Sequence, residues 1–305
     1  MAKILVTGGL GAVGYPLSKE LEKAGHEVWI SDRGHHHHPH YVRCDVAEFH
    51  QVEDLFNHAQ FDYVYHLAAE FGRRNGEDFY ETLWKTNAIG TKNMIRMQER
   101  LGFKMIFTSS SEVYGDYRGV MVEDVMDKVA IRQMNDYAMS KWVNEMQILN
   151  STDRFGTRTV RVRFFNIYGP GEYYSEYRSA ICVFIYKALH NQPYTVFTKH
   201  KRTSSYIDDA IRTMANVTRN FKPGEVYNIA GSDLHDMKQA SDIILAYLKK
   251  DDRLVQYSDE QEFTTMEKIV DNSKSVRDLG YKGTVGLADG IARTIEWQRK
   301  VYDLG

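Results

Sequence analysis

Cysteine is scarce: Cys44 and Cys182 are the only two in 305 residues. They stand at no metal-like spacing, and two such thiols suit a reducing cytoplasm and buried side chains better than a disulfide. An excess of charge is also missing. The 39 Lys and Arg against 41 Asp and Glu leave a formal net charge of −2, which offers no footing to nucleic acid or an anionic membrane. No apolar run approaches the ~20 residues of a membrane span. No signal-peptide pattern is present, since Met1 leads straight into a strand-like run. There is no internal repeat and no low-complexity linker. These absences leave a globular chain, 43% hydrophobic and 26% charged, large enough for one big domain or one and a half.

The most informative stretch is Lys3 to Leu17, KILVTGGLGAVGYPL. Lys3 to Thr7 is a short β-branched run and predicts a buried first strand. It breaks into Gly8, Gly9, Gly11 and Gly14 and enters a helical pattern at Leu17, Leu21 and Ala24. Gly8 allows the tight turn, Gly11 lets backbone approach a pyrophosphate, and Gly14 lets the helix pack close, with Ala12 and Val13 between them. Phosphates would sit on the helix N-terminus. Pro16 falls in the first turn, where a missing N–H costs little. The bland alternative is a tight turn with no ligand. A second strand, Glu27 to Ser31, ends in Asp32, eighteen residues after Gly14. That is near the spacing of a carboxylate on an adenosine ribose, and it favours NAD because it would repel a 2′-phosphate. Arg33 is the counter-signal. His35 to His38 opens a histidine-rich loop, which lacks the carboxylate or spaced helical ligands of a catalytic metal site; no metal is expected.

Further on, Tyr41 to Cys44 predicts a strand closed by Asp45 and Val46. Asp45 can meet an adenine amino group or cap the helix over Phe49 to Ala59. Asp62 to His66 is a strand that ends in Leu67, Ala68 and Ala69, small enough for a cofactor to lie against backbone. Phe79 to Leu101 has one long helical pattern, in which Asn87 is polar and is placed to tie neighbouring strands together. Lys104 to Thr108 is a strand running into Ser109, Ser110, Ser111 and Glu112, at the sheet edge where ligands bind. Tyr137 and Lys141, in YAMSK, share a helical face. An ammonium beside a phenol lowers its pKa from ~10 toward neutrality, so Tyr137 is a candidate acid/base. Thr157 to Phe165 is the sixth strand, and Pro170 and Gly171 redirect the chain into a second lobe. Helices are predicted over 179–190, 236–249 and 285–300, a strand over 225–230, and a strand over 201–209 whose Asp208 and Asp209 begin a helix. The stretch 251–271 has a mixed pattern that assigns no strand.

In TGGLGAVG (7–14), HLAA (66–69), TN (86–87), SSSEVYG (109–115), YAMSK (137–141), RFFNIYGPG (163–171), RTSSYIDD (202–209) and EVYNIAG (225–231), the chain resembles the extended short-chain dehydrogenase/reductases. Within them it resembles the NAD-dependent nucleotide-sugar epimerase/dehydratase family, over essentially its whole length. The resemblance implies an α/β fold: a Rossmann-type doubly wound parallel sheet with a smaller C-terminal α/β substrate-binding lobe. Residues 1–168, with 203–232 returning to them, would bind NAD, and 169–305 would mainly bind substrate. It also implies that Gly8, Gly11 and Gly14 hold the pyrophosphate, Asp32 the ribose, and Asp45 and Val46 the adenine. Asn87 joins Leu67 to Ala69 among the cofactor-side residues. Ser110 would align the sugar hydroxyl, Tyr137 remove its proton and Lys141 bind the nicotinamide ribose. Ser111, Asn166 and Arg202 would meet the nucleotide-sugar substrate, the last two at its diphosphate; for Arg202 the alternative is a surface ion pair.

The implied chemistry oxidises the sugar at C4 to a ketone, followed by epimerisation, dehydration or decarboxylation. Glu112 bears on which, because members that abstract a C5 proton or decarboxylate commonly carry Ser/Thr-Ser-Glu here. The alternative for Glu112 is a side chain bonded to nearby backbone. Arg73 and Arg74 reach either an acidic group on the sugar or solvent. A one-way 4-keto reductase or dehydrogenase stays open, as does a non-catalytic dinucleotide sensor, which has no need of Ser110, Tyr137 and Lys141 together. Trp84, Met94, Met97, Met139, Trp142 and Met146 fall on two helices at spacing usual for a core. The family pairs these helices with their mates, so a homodimer is expected.

Overall fold

The computed structural model describes residues 1–304. β1 (Lys3–Thr7) is buried over its last four residues and is followed by the glycine turn and α1 (Gly14–Lys23), which turns Leu17 and Leu21 inward. Then come β2 (Glu27–Asp32), β3 (Tyr41–Arg43), α2 (Phe49–Asn57), β4 (Tyr63–His66), α3 (Arg73–Asp78) and α4 (Tyr80–Trp84). A π-turn over Lys85–Ile89 links α4 to α5 (Gly90–Leu101), so the long helix expected from residue 79 starts one residue later and carries a bulge. β5 (Lys104–Ser110) runs into a 3-10 turn at Ser111–Tyr114. After α6 (Val125–Lys128), α7 (Asp136–Phe155) carries YAMSK in its first turns and stops at Gly156 in the left-handed conformation.

β6 (Thr159–Phe164), β7 (Ile167–Tyr168), α8 (Ala180–Leu189), β8 (Tyr194–Phe197), β9 (Lys201–Thr203) and β10 (Ser205–Tyr206) follow. The strand expected over 201–209 is therefore two short ones, and α9 (Ile207–Arg219) takes Asp208 and Asp209 into its first turn. β11 (Val226–Ile229), β12 (Leu234–Asp236), α10 (Met237–Leu248), β13 (Val255–Ser258), α11 (Ser273–Leu279) and α12 (Leu287–Val301) complete the chain.

Seven strands form one sheet in the order β11-β6-β5-β4-β1-β2-β3, all pairs parallel. Helices cover both faces, as an all-parallel sheet requires. Ile4 and Val6 pack with Leu17 and Leu21 in one core, whereas Leu5 packs with Val52, Leu55 and Met94 in the other. That is the period-2 alternation of a strand. Successive connections run outward from β1 in both directions, so the order reverses between β1 and β4. A crevice opens there at the carboxyl ends of the strands. Beyond this Rossmann-type sheet, the pairs β7–β10, β9–β12 and β8–β13 are separate two-stranded sheets, and α8, α10 and α12 pack on one another. No helix among the described residues is long and apolar enough to cross a membrane.

Candidate active site

The crevice is a continuous cleft of ≈ 800 Å³. At its β1 end Gly8 has φ +68°, and a Cβ there would meet the Ala68 backbone nitrogen at 2.7 Å; one on Gly14 would meet the Gly8 carbonyl at 2.2 Å. Helix α1 begins with no side-chain cap and no acid in its first turn, which leaves its positive end available to an anion. Gly11, Ala12 and Val13 line the cleft beside it, as do Leu67, Ala68 and Ala69 at the end of β4. Asp32 closes β2, accepting from the Leu10 and Arg33 amides at 3.0 and 2.7 Å. Arg33, the group that would welcome a 2′-phosphate, is held by Glu70 at 2.8 Å. Asp45 accepts from the Ala47 amide at 3.0 Å, and it lines the cleft together with Val46. A side-chain-free cradle, an uncapped helix start and an acidic β2 end fit NAD.

Asn87 is placed differently from the expectation. It does not line the cleft and it ties no strands. Fully buried, it accepts from the Glu70 amide at 2.8 Å and donates to the Glu70 carbonyl and the Ser140 hydroxyl, both at 3.0 Å. It fastens the loop after β4 to α7.

Ser110 ends β5, and its hydroxyl accepts from the Glu112 amide at 3.2 Å. Tyr137 and Lys141 come from the first turns of α7, which Asn135 caps through the Ala138 amide at 2.8 Å. Ser110, Glu112, Tyr137 and Lys141 face the cleft. The Lys141 ammonium donates to the Thr108 carbonyl at 2.9 Å and sits 6.0 Å from the Tyr137 ring centre. Here the local expectation fails. Burial pushes the Tyr137 phenol up to about 12; the Ser110 hydroxyl offsets part of this and the Glu112 charge adds to it. Burial also draws Lys141 down to about 8. Proximity on one helical face does not aim the ammonium at the phenol when a buried carbonyl competes for it.

At the far end Glu112 accepts from Lys268 and, at 3.5 Å, from Asn135, so its partners are side chains rather than nearby backbone. Ser111 Oγ accepts from Lys268 at 3.1 Å. Arg202 is no surface ion pair: it donates to the Met266 carbonyl at 2.8 Å and approaches His200 Nδ1 at 3.0 Å. Burial lowers its pKa to about 10, against the pull of Glu112. Asn166, with φ +41°, lines the cleft with Arg202, Arg73, Arg74 and Arg178. Arg73 also pairs with Glu77 at 3.2 Å and Arg74 with Glu176 at 3.8 Å. Tyr173 packs on Trp297 and Tyr174 on Tyr186, and neither lines the cleft. The histidine run is a loop with His35 to His37 exposed.

Three supporting residues escape the sequence reading. His66, at the end of β4, is bonded to Thr7 at 2.8 Å and Thr91 at 3.1 Å. Glu145, wholly buried under β5 and β6, accepts from Ser109 at 2.6 Å, Arg163 at 2.8 Å and Arg161 at 3.1 Å. Two arginines inside an apolar strand are the available signal, since buried guanidiniums need a carboxylate. Lys268 has no such signal, because its segment carries no periodic pattern.

The family model described as "NAD dependent epimerase/dehydratase family" matches residues 4–230, and the chain belongs to that family. It is similar to a UDP-N-acetyl-alpha-D-glucosaminuronate decarboxylase from Bacillus cytotoxicus, 28% identical over 319 aligned residues that span 98% of each chain. It is also similar to UDP-glucuronic acid decarboxylase 1 from Xenopus tropicalis, 28% identical over 98% of this chain and 72% of the relative. Among solved structures, an epimerase from Methanothermobacter thermautotrophicus superposes with a TM-score of 0.90 at 24% identity, over 99% of this chain and 94% of that one. That last likeness speaks for the fold. The chain is thus an NAD-dependent enzyme of the extended short-chain dehydrogenase/reductase type.

Proposed function

We propose that the enzyme oxidises a nucleoside-diphosphate sugar at C4 and then works at C5, where Glu112 takes the proton that the new ketone has made acidic. The observation that carries this is a cleft-lining carboxylate held below the usual carboxylate range beside Tyr137. In this reading Ser110 aligns the C4 hydroxyl and Tyr137 accepts its proton. NAD, when bound, supplies the hydride acceptor; a positive charge on its ring would favour the phenolate that burial alone disfavours. Lys141 holds the nicotinamide ribose, Ser111 touches the sugar, and Asn166 and Arg202 hold the diphosphate. Residues 1–168, with the return of 203–232, serve the cofactor, and the rest of 169–305 serves the sugar nucleotide. Loss of the C6 hydroxyl as water, or reprotonation of C5 on the opposite face, would follow, and return of the hydride to the sugar would complete the turnover.

A second reading is decarboxylation of a nucleotide-linked uronic acid. Arg73 at the cleft wall favours it, as do the two decarboxylase relatives. A C6 carboxylate lies β to the C4 ketone, so carbon dioxide leaves with its bonding electrons passing to the carbonyl. The test is incubation with NAD and a panel of neutral and uronic nucleotide sugars in deuterated water, read by proton NMR and mass spectrometry. Deuterium at C5 of a neutral sugar, or loss of water, supports the first reading. Loss of carbon dioxide from a uronic sugar alone selects the second, and a changed sugar without deuterium would reduce both to C4 epimerisation.

We place the enzyme in the cytoplasm, where free buried thiols such as Cys44 and Cys182 persist. We also infer a homodimer through α7 and the helical stretch that runs from α4 to α5.

A further inference from the structure

Lys268 lies on an irregular segment between β13 and α11, yet its side chain is 1% exposed. Its backbone is fastened on both sides to β9. Its N–H donates to the Lys201 carbonyl at 3.1 Å, and its own carbonyl accepts from Thr203 Oγ1 at 2.9 Å. From there the side chain delivers its ammonium to Ser111 Oγ at 3.1 Å and onto the Glu112 carboxylate. A buried ammonium is costly unless it is paired, and Glu112 is the carboxylate it meets. Glu112 is 20% exposed and lines the cleft, whereas Lys268 stays behind it.

We propose that Lys268 is a positioning residue: reaching across from the C-terminal lobe, it keeps Glu112 ionised and aimed at the sugar so that Glu112 can accept the C5 proton. The inference rests on the reading of Glu112 as the C5 base. A carboxyl group this enclosed would otherwise be drawn toward its protonated form, and a protonated Glu112 is far too weak a base to take a proton from carbon. Burial alone would push the Glu112 carboxyl up; the Lys268 ammonium reverses this, with Arg202 adding to it. The titratable and charged groups around the pair are Arg202 from β9, Tyr137 from α7, and His200, whose imidazole burial and the neighbouring cations keep neutral, down to about 4. Arg202 alone stands further back in its effect on Glu112 than Lys268, so it does not replace the missing ammonium. The step itself moves one proton from C5 to Glu112 Oε, and the C–H electron pair enters the enolate of the 4-ketone.

The test begins without substrate. Glu112 is titrated by carboxyl carbon NMR in the intact protein, its signal identified by loss in E112Q. In K268M its midpoint is expected to rise by about 1–3 pH units, and in K268R to return close to the wild-type value. With a nucleotide sugar from the panel, the acid limb of C5 deuterium exchange should climb with the same midpoint. NADH formation from the C4 step should fall far less. An unchanged Glu112 midpoint in K268M overturns the proposal, as does exchange lost equally in K268M and K268R with its pH profile unmoved. If K268M does not fold, the double variant K268M/E112Q removes both charges and is expected to fold; its failure to do so would overturn the pairing. Should the wild type exchange no sugar at C5, the reading of function fails, while the Glu112 titration still decides what Lys268 does.

Discussion

His66 ends β4 between Thr7 and Thr91 with 1% of its surface exposed. Burial pulls its imidazole from the usual 6.5 down to about 3, and the Lys141 charge adds a smaller push the same way. The folded chain therefore holds His66 neutral, and the unfolded chain binds a proton there first. The stability His66 contributes is fully present above pH 6.5 and is lost as pH falls from 6.5 toward 3. Between pH 7 and pH 5 that amounts to about 2 kcal/mol. Urea unfolding of H66Q at the two pH values should show a difference smaller than the wild type's by about that much; an equal difference would mean that His66 takes up its proton alike in the folded and unfolded chains. At this scale the sequence was readable where a residue type has one use. Glycine at 8 and 14 and aspartate at 32 stand where the spacing put them. It was unreadable where environment outweighs spacing, as at Tyr137, whose lysine neighbour turns to a carbonyl.

Strands buried on both faces write themselves as apolar, β-branched runs, so β1 and β5 were plain in the sequence, and β6 was legible in spite of the two arginines that interrupt it. The π-turn at Lys85–Ile89 was not, because a bulge leaves the helical pattern nearly intact while rotating the residues it carries. That rotation is what points Asn87 to Glu70 and Ser140 rather than to the cleft, in keeping with the tendency of such bulges to sit near functional sites. Lys268 was hidden for the opposite reason: its segment has no period to read. β6 ties into α7 beneath the site through a buried ion cluster. Its Arg161 and Arg163 both reach Glu145 on α7, and Ser109 on β5 completes the set. Removing the carboxylate leaves two guanidiniums buried and uncompensated. E145Q should lower unfolding free energy by about 3–5 kcal/mol in denaturant titration. A loss below ~1 kcal/mol, the range of an exposed pair, would show that water reaches the cluster.

The molecule as a whole shows a surface that the site does not use. Met94 and Met97 are buried as expected, but Met139 is 38% exposed, Met146 50%, Leu149 38% and Ile89 53%. On α7 the positions 139, 142, 146 and 149 recur at the spacing of one helical face, and Ile89 comes from the neighbouring π-turn, which packs on α7. Apolar side chains at helical spacing were legible in the sequence; whether they faced this chain's core or a second copy was not, since both need the same pattern. A two-fold axis beside α7 would set this face against itself, giving a self-complementary four-helix contact. The cleft opens from the strand ends and includes the first turn of α7, so the dimer would brace the helix that carries Tyr137 and Lys141 without covering them. Static light scattering at micromolar concentration should give twice the chain mass for the wild type and the single-chain mass for M139E/M146E. Glutamates at these exposed positions face solvent in the monomer, so folding should be kept. A dimer that survives the double change would place the interface elsewhere, and a monomeric wild type would leave the face unexplained by self-association.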